Sequence, residues 1–374
     1  MQQNPPALPG MPEDEIDTPA LLIELDAFER NLDTMAALTR SAGVKLRPHA
    51  KTHKSPVIAR LQMTRGAIGQ CVQKISEAEV LAWSGVSDII VTNQIVGATK
   101  LARLAALAHI VRIAVCVDDP AQITALENAA AAAGIRLGVL VEIEVGMQRC
   151  GAAPGEPAVK LAQRIASSPH LRFEGLQAYQ GRAQHLRSHA ERAAAIARAA
   201  DAVRMTMAGL ADVGLECSVV GGGGTGSFEL EMASGLFSEI QAGSYCFMDG
   251  DYGRNLDRNG EPISTFKQAL YVLATVMSTP APGVAVLDAG LKALAVDSGL
   301  PSVADRPDIR FVGASDEHGK LAFSPDQTII RLGEKLRLVP SHCDPTVDRY
   351  DWYVGVRHGR VECVWPITAR GALA

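Results

Sequence analysis

The sequence predicts an α/β fold made of a (β/α)8 TIM barrel followed by a C-terminal all-β domain. Strand-like and helix-like segments alternate across residues 43–260, a length close to the roughly 250 residues typical of such a barrel. A glycine-rich run at 221–226 follows one of the last strands, which is where these barrels bind phosphate. An open doubly wound sheet, the alternative, would place a glycine-rich run after its first strand.

The predicted elements begin with a strand at 18–25, where the residues are mostly apolar. Asp26 then fits an N-cap and Glu29 its capping-box partner, so a helix is predicted that ends near Gly43. Further strands are predicted at 44–47, 68–72, 88–92, 110–117, 138–145, 173–179, 217–220 and 239–242. Helices are predicted between them at 55–65, 76–84, 99–108, 120–134, 156–168 and 188–213.

After about residue 266 the pattern changes to short β-like runs separated by Gly, Pro and Asp, with no long helix. These runs lie at 269–277, 284–288, 309–312, 329–336 and 352–357. We therefore predict three parts. Residues 1–25 form a tail and a strand that joins the β domain, residues 26–265 form the barrel, and residues 266–374 form the β domain.

The composition excludes several classes of protein. The net charge is −5 and the basic residues are spread along the chain, which argues against a nucleic-acid partner. No signal peptide and no apolar run of about 18 residues is present, so no membrane span is expected. The seven cysteines are scattered and form no CxxC pair, which is typical of reduced thiols in a cytoplasmic protein rather than of disulfides or four-cysteine zinc.

Lys51 is the first candidate for chemistry. It follows the first predicted barrel strand and is flanked by His49, His53 and Lys54. Basic neighbours would lower the pKa of its amine and so favour the free base that a Schiff base needs. The same run would, taken alone, more often be a solvated surface loop.

The glycine-rich run is the second candidate. Its glycines would let backbone N–H groups approach a phosphate, and Thr225 or Ser227 could add a hydroxyl donor. Residues 241–245, after the next strand, supply further donors. A flexible loop is the alternative interpretation of such a run.

Other polar residues follow barrel strands and should lie at the same catalytic face. Arg149 comes after the strand at 138–145, where it could instead form a structural salt bridge, and Tyr179 and His185 follow the strand at 173–179. In the β domain, His342 and Asp344 alternate, so an extended segment would direct both to one side and Cys343 away. Two such ligands suit an open divalent-metal site, although a turn capped before Pro345 is an equal alternative.

Together, these motifs resemble the D-threonine aldolase and D-serine dehydratase family of fold-type III pyridoxal-phosphate enzymes, relatives of the alanine racemases. The resemblance covers nearly the whole chain. It is carried by residues 18–20, 47–51, 73–77, 146–149, 175–179, the glycine run, 241–245 and 342–345.

The resemblance implies a role for each candidate. Lys51 would be the Schiff-base lysine and His185 an acid or base. Gln241 would face the pyridine nitrogen, where the racemases carry arginine, which disfavours racemisation. The remaining implied cofactor ligands are Arg149 at the phenolic oxygen, Tyr179 against the ring, and Gly222, Thr225, Gly243 and Ser244 at the phosphate. His342 and Asp344 would hold the metal, and a carboxylate ligand favours Mn²⁺ or Mg²⁺ over Zn²⁺.

The activity implied is retro-aldol cleavage of a β-hydroxy-D-amino acid, D-threonine or 3-hydroxy-D-aspartate, to glycine and an aldehyde. The alternative is a metal-dependent dehydratase acting on D-serine or 3-hydroxy-D-aspartate. A non-catalytic pyridoxal-phosphate carrier would lack the β domain and the metal motif. Arg182 could pair with a distal substrate carboxylate. Relatives that complete their site across subunits imply a homodimer.

Overall fold

The computed structural model describes residues 4–374 and contains an eight-stranded parallel sheet closed into a barrel. Its two edge strands are joined by a parallel bridge between His49 and Cys71. The order around the barrel is β2-β9-β8-β7-β6-β5-β4-β3. These strands are β2 (Lys45–Leu46), β3 (Gln70–Val72), β4 (Asp88–Gln94), β5 (Arg112–Val117), β6 (Leu137–Glu142), β7 (Leu171–Gln177), β8 (Val219–Gly222) and β9 (Glu239–Ile240).

Helices connect these strands on the outside of the barrel, because each parallel pair needs a crossover connection. They are α2 (Pro56–Met63), α3 (Ile75–Trp83), α4 (Ala98–Leu107), α5 (Pro120–Ala133), α6 (Glu156–Ser167), α7 (His189–Asp212) and α8 (Phe228–Ala233). Helix α1 (Leu25–Ser41) precedes the first barrel strand. All six residues of β6 are buried, as expected for a strand covered on both faces.

Capping interactions are present at both ends of α5, whereas the cap predicted for α1 differs. Asp119 caps α5 and accepts from the N–H of Ala121, and Gly134 ends that helix in the left-handed conformation. The N-cap of α1 is Glu24 rather than Asp26, which lies inside the first turn. The longer Glu24 side chain reaches the N–H of Ala27 at 2.7 Å, so the prediction for Asp26 was wrong.

The second sheet has nine strands, mostly antiparallel, and includes the first strand of the chain. That strand, β1 (Ala20–Glu24), lies between β10 (Leu270–Ala281) and β16 (Trp352–Arg357). The other strands are β11 (Val284–Leu287), β12 (Ser302–Val303), β13 (Ile309–Ala314), β14 (Gly319–Phe323), β15 (Lys335–Val339) and β17 (Arg360–Pro366). The predicted fold class, a barrel with a C-terminal β-rich part, is confirmed.

Several short elements differ from the sequence prediction. The predicted strand at 329–336 begins only at Lys335, because Gly333 adopts a φ of 82° and the apolar side chains of Ile329 and Leu332 point to solvent. Strands β12, β14 and β17, helix α8 and a five-residue helix α9 (Cys343–Val347) were not predicted. Apart from β17, these elements have six residues or fewer, too few for a clear periodic pattern.

A buried ion-pair cluster lies at the N-terminal end of the barrel, away from the catalytic face. The Arg47 side chain is 2% exposed and contacts Asp88 at 2.7 Å and Glu239 at 2.8 Å. Hydrogen bonds satisfy each of its nitrogens, which buried charge requires. Within residues 4–374, no helix has the length and apolarity needed to cross a membrane.

Candidate active site

A cavity of about 190 Å³ opens at the carboxyl ends of the barrel strands and is lined by residues of the barrel and of the β domain. Most of the predicted site residues line it. These are Lys51, Arg149, Tyr179, His185, Thr225, Gln241, Gly243, Ser244, His342 and Asp344. Gly222 does not line the cavity, since it lies within β8, where a Cβ would come within 2.7 Å of Ala178 and Phe237.

Lys51 lies in the turn that follows β2, with 40% of its side chain exposed to the cavity. Its Nζ atom is 3.8 Å from Oδ2 of Asp344. Burial lowers the pKa of Lys51, but the Asp344 carboxylate, together with Tyr179 and Glu77, outweighs burial and the net pKa is raised. The predicted lowering by basic neighbours was therefore wrong.

The neighbours of Lys51 do not act as nearby positive charges. Lys54 turns away and forms ion pairs with Glu77 at 2.9 Å and Asp348 at 3.4 Å. Burial lowers the pKa of His49 to about 3 and that of His53 to about 4, so both imidazoles are neutral at physiological pH.

The loop after β8 presents an unsatisfied hydroxyl to the cavity. The Oγ1 atom of Thr225 is buried and has no hydrogen-bond partner within the described protein. Gly224, which the sequence analysis did not select, lines the cavity beside it, and Gly243 and Ser244 line it from the loop after β9. A Cβ at Gly243 would lie 2.6 Å from the His49 carbonyl oxygen and from Thr52, so only glycine fits there. Buried donors converging from two late loops fit a phosphate.

Arg149 and Tyr179 lie together on another wall. The Arg149 guanidinium carbon is 6.0 Å from the Tyr179 ring centroid, a cation–π contact, and its Nη2 is 3.9 Å from Oε1 of Glu142. The side chain is 44% exposed, so this long ion pair leaves guanidinium donors for a ligand.

Gln241 forms a reciprocal amide pair with Gln177. Gln177 Nε2 donates to Gln241 Oε1 at 2.7 Å, and Gln241 Nε2 donates to Gln177 Oε1 at 3.0 Å. The pair uses one of the two hydrogens of each NH2 group. Gln241, which lines the cavity, therefore keeps one neutral N–H donor that this pair does not use.

His342 and Asp344 come from the β domain, although not from an extended segment. His342 is the N-cap residue of α9, and Asp344 lies in its first turn, so the predicted strand-like alternation was wrong. Both nevertheless line the cavity. The Nδ1 atom of His342 is 2.7 Å from Oδ2 of Asp297, which leaves Nε2 for another partner. Within residues 4–374, no three His, Cys, Asp or Glu side chains converge as a metal-binding group.

His185 lies in a 3-10 turn (Arg182–His185) after β7, with its Nδ1 atom 2.5 Å from Oδ2 of Asp251. Asp251 is 5% exposed and also accepts hydrogen bonds from Arg187 and Arg254. Burial raises the pKa of Asp251, but these three donors outweigh burial and hold its pKa well below the usual range. A permanently charged Asp251 thus fixes His185 through Nδ1.

Arg182 does not line the cavity and its side chain is exposed. Three aspartates that the sequence analysis missed do contact the site residues: Asp251 and Asp297 through the histidines, and Asp249 through the backbone of Cys343. No local motif marks them, because each acts on a residue at least 45 positions away. Only their place after β9 or in the β domain hints at this role.

The barrel with a lysine after its first strand and phosphate-type loops after its seventh and eighth strands is that of the fold-type III pyridoxal-phosphate enzymes. Residues 23–251 match the family described as "Alanine racemase, N-terminal domain", and residues 269–356 match a serine dehydratase domain. The chain therefore belongs to the D-threonine aldolase and D-serine dehydratase family, within the alanine-racemase-like enzymes.

Individual relatives are similar over nearly their full length. The chain is 46% identical to 3-hydroxy-D-aspartate aldolase of Paracoccus denitrificans strain Pd 1222, covering 98% of this chain and 95% of that one. It is 45% identical to D-threonine aldolase of an Arthrobacter species, covering 98% and 96%. The crystal structure of D-threonine aldolase from Filomicrobium marinum superimposes with a TM-score of 0.96 at 50% identity, covering all of both chains.

Proposed function

We propose that the chain is a pyridoxal-phosphate- and divalent-metal-dependent aldolase that cleaves a β-hydroxy-D-amino acid to glycine and an aldehyde. One observation carries the proposal: Lys51 from the barrel and Asp344 from the β domain face each other across a single cavity. The similarity to two aldolases over their full length supports the reaction class.

The residues around the cavity fit pyridoxal phosphate. The unpaired Thr225 hydroxyl, with Gly243 and Ser244, would hold the phosphate, and Lys51 would bind the cofactor covalently. Arg149 and Tyr179 would contact the ring from the opposite wall. When bound, the cofactor accepts the electron pair released as the Cα–Cβ bond breaks. The predicted phosphate contact of Gly222 stays a prediction.

His342 and Asp344 would hold the metal. The hydrogen bond between His342 and Asp297 matches the carboxylate–histidine arrangement that orients metal-binding imidazoles. The Asp344 carboxylate favours Mn²⁺ or Mg²⁺, and the His342 imidazole keeps Zn²⁺ as the alternative. Such a cation supplies Lewis-acid stabilisation of a developing oxygen anion.

His185 would accept the proton of the substrate β-hydroxyl. Because Asp251 holds Nδ1, the Nε2 atom is free to act as the base. Loss of that proton turns the β-carbon into the aldehyde carbon as the Cα–Cβ bond breaks. Gln241, which donates only a neutral amide N–H, replaces the charged arginine of the racemases and supports cleavage over racemisation.

The reaction and its substrate can be tested together. Purified enzyme would be incubated with D-threonine, 3-hydroxy-D-aspartate or D-serine, each with Mn²⁺ and with EDTA. We expect acetaldehyde from the first or glyoxylate from the second, in each case with equimolar glycine and only with metal. Ammonia and a 2-oxo acid would instead identify the dehydratase alternative, which a 30% identical relative, D-threo-3-hydroxyaspartate dehydratase of Delftia strain HT23, represents.

The choice between an acidic and a neutral substrate is open, because the exposed Arg182 does not reach the cavity. We also propose that the enzyme is a cytoplasmic homodimer. Seven free cysteines support a reducing compartment. Light scattering of the purified protein would determine the number of subunits.

A further inference from the structure

Asp249 joins the barrel to the segment that carries the proposed metal ligands. Its side chain is 1% exposed and lines the cavity. One carboxylate oxygen, Oδ1, accepts from the backbone N–H groups of Asp251 at 3.1 Å and Tyr252 at 2.9 Å. The other, Oδ2, accepts from the N–H of Cys343 at 2.9 Å, the residue between His342 and Asp344.

The Cys343 N–H is one of the first amide groups of α9, so it has no partner within the helix. Asp249 supplies that partner from the loop after the barrel strand β9. Two further bonds connect the same segments: Gly250 N–H donates to the Pro340 carbonyl at 2.9 Å, and Asp251 N–H to the Ser341 carbonyl at 3.0 Å. The segments 249–252 and 340–343 are thus linked through both backbone and side chain.

The backbone before Asp249 is strained. Met248 has a φ of 56°, in the left-handed region that non-glycine residues rarely adopt. Such a conformation persists only where the surrounding structure enforces it, and it directs the next residue into place. The strain lies directly before the carboxylate that reaches Cys343, which indicates that the position of this carboxylate matters.

We infer that Asp249 is a positioning residue that fixes the His342–Asp344 metal segment relative to the His185–Asp251 pair. The inference rests on the proposed metal site. Asp249 contacts both of these parts of the site. Its Oδ1 accepts from the backbone N–H of Asp251, and its Oδ2 accepts from the backbone N–H between the two proposed metal ligands. Both of its oxygens are engaged by N–H groups, which assigns it to orientation rather than to contact with substrate.

The Asp249→Asn variant tests this. The amide can accept at one position but presents an NH2 group to a backbone N–H at the other, so one tether is lost. We expect Mn²⁺ affinity, measured by calorimetry on the pyridoxal-phosphate-loaded enzyme, to weaken roughly 10- to 100-fold. The absorbance of bound cofactor should stay unchanged, because none of the cofactor ligands is altered.

Asp288→Asn is a matched control. Asp288 is also a carboxylate that joins two parts of the chain, accepting from Thr18 Oγ1 at 2.6 Å and from the Thr275 N–H at 2.8 Å, but it lies away from the cavity. Its loss should lower stability and leave Mn²⁺ affinity unchanged. Equal weakening in both variants, or none in Asp249→Asn, would overturn the role of Asp249. Failure of the wild-type enzyme to bind Mn²⁺ would instead refute the proposed metal site itself.

A second pair of variants covers the case in which Asp249→Asn does not fold. Cys343→Pro removes the N–H that Asp249 binds, at the first helical position, where proline is tolerated. His342 has φ −144° and ψ 118°, which a following proline permits. We expect Cys343→Pro to lose Mn²⁺ affinity at least tenfold, whereas Cys343→Ala, which keeps the N–H, should retain it. Similar affinities in the two variants would contradict the inference.

Discussion

The Nζ atom of Lys51 lies 3.8 Å from Oδ2 of Asp344, although Lys51 follows a barrel strand and Asp344 lies in the helix α9 of the β domain. The proposed cofactor lysine and a proposed metal ligand are therefore electrostatic partners. Burial alone would raise the pKa of Asp344, but the charges of Lys51 and His342, together with hydrogen bonds from Thr52 and Cys343, outweigh burial and lower the pKa. Each of the two charges shifts the pKa of the other group, so a substitution at Lys51 or at Asp344 should also change the pKa of its partner.

Replacement of Lys51 by alanine should abolish the imine absorbance of the bound cofactor, since the amine that forms the Schiff base is gone. An absorption spectrum of the purified variant, incubated with pyridoxal phosphate and then desalted, measures this. Lys45→Ala removes an exposed lysine at the start of β2 and should leave the band intact. Survival of the band in Lys51→Ala would show that another lysine carries the cofactor.

Thr225→Val should weaken pyridoxal phosphate binding about tenfold while leaving the cofactor-free protein equally or more stable. The unpaired hydroxyl costs about 1–3 kcal/mol when buried, and valine removes that cost together with the phosphate donor. Cofactor titration and denaturant unfolding measure the two effects. In Thr206→Val, the buried hydroxyl lost is already bonded to Gly155 N–H and the Ala202 carbonyl, so stability should fall without a change in affinity.

His185→Gln should reduce kcat by roughly 10²- to 10⁴-fold, the usual contribution of a general base. Asp251→Asn should reduce kcat by about tenfold, since it weakens the bond that orients the imidazole. Steady-state kinetics on the better substrate measure both. His189→Gln, on α7 and outside the cavity, is the control. An unchanged kcat in His185→Gln would assign the proton transfer elsewhere.

The buried side chain of Glu231 should make the free energy of unfolding depend on pH. Burial raises its pKa to about 7, against 4.5 when solvated, so the folded protein binds a proton that the unfolded chain has released between these values. Stability should therefore fall as pH rises from 4.5 to 7, by about 3 kcal/mol in total. Denaturant unfolding of the cofactor-free protein at pH 5 and 8 measures the change.

The Glu231→Gln variant should lose most of this dependence, because glutamine does not ionise. Glu216→Gln, at an exposed position, should keep it. If both variants show the wild-type dependence of stability on pH, Glu231 is not the group whose protonation causes it.

The sequence predicts the barrel because each strand–helix unit has its own local pattern, and it selects Lys51 and Thr225 because both lie in contiguous motifs. The charge state around Lys51 is not predictable in this way. It depends on the side chain of Lys54 turning to Glu77 and on a carboxylate 293 positions along the chain (344 − 51). The sequence suggested that the neighbouring basic groups repel one another, whereas in the folded protein carboxylates from distant segments compensate the charges of Lys51 and Lys54.

In the proposed metal segment, the sequence predicts the residues but not the backbone that positions them. His342 and Asp344 follow from their spacing, although the backbone that places them is a helix N-terminus and not a strand. Asp249, Asp251 and Asp297 could not be selected, because an aspartate in a loop is ordinary turn chemistry until its partner is known. What decides their role is the docking of one sheet against the other, which no periodicity encodes.

The placement of β1 has a consequence for biosynthesis. It leaves the ribosome among the first 24 residues, but its neighbours β10 and β16 begin at residues 270 and 352. The barrel strands that carry Lys51 and the phosphate loop are complete by residue 240, well before β1 can pair. Because chains fold as they emerge, the half of the cavity proposed to hold the cofactor can form early in translation, whereas the half proposed to hold the metal must await residues 342–357. A ribosome-stalled nascent chain ending near residue 300 would thus be a cofactor-binding species without aldolase activity.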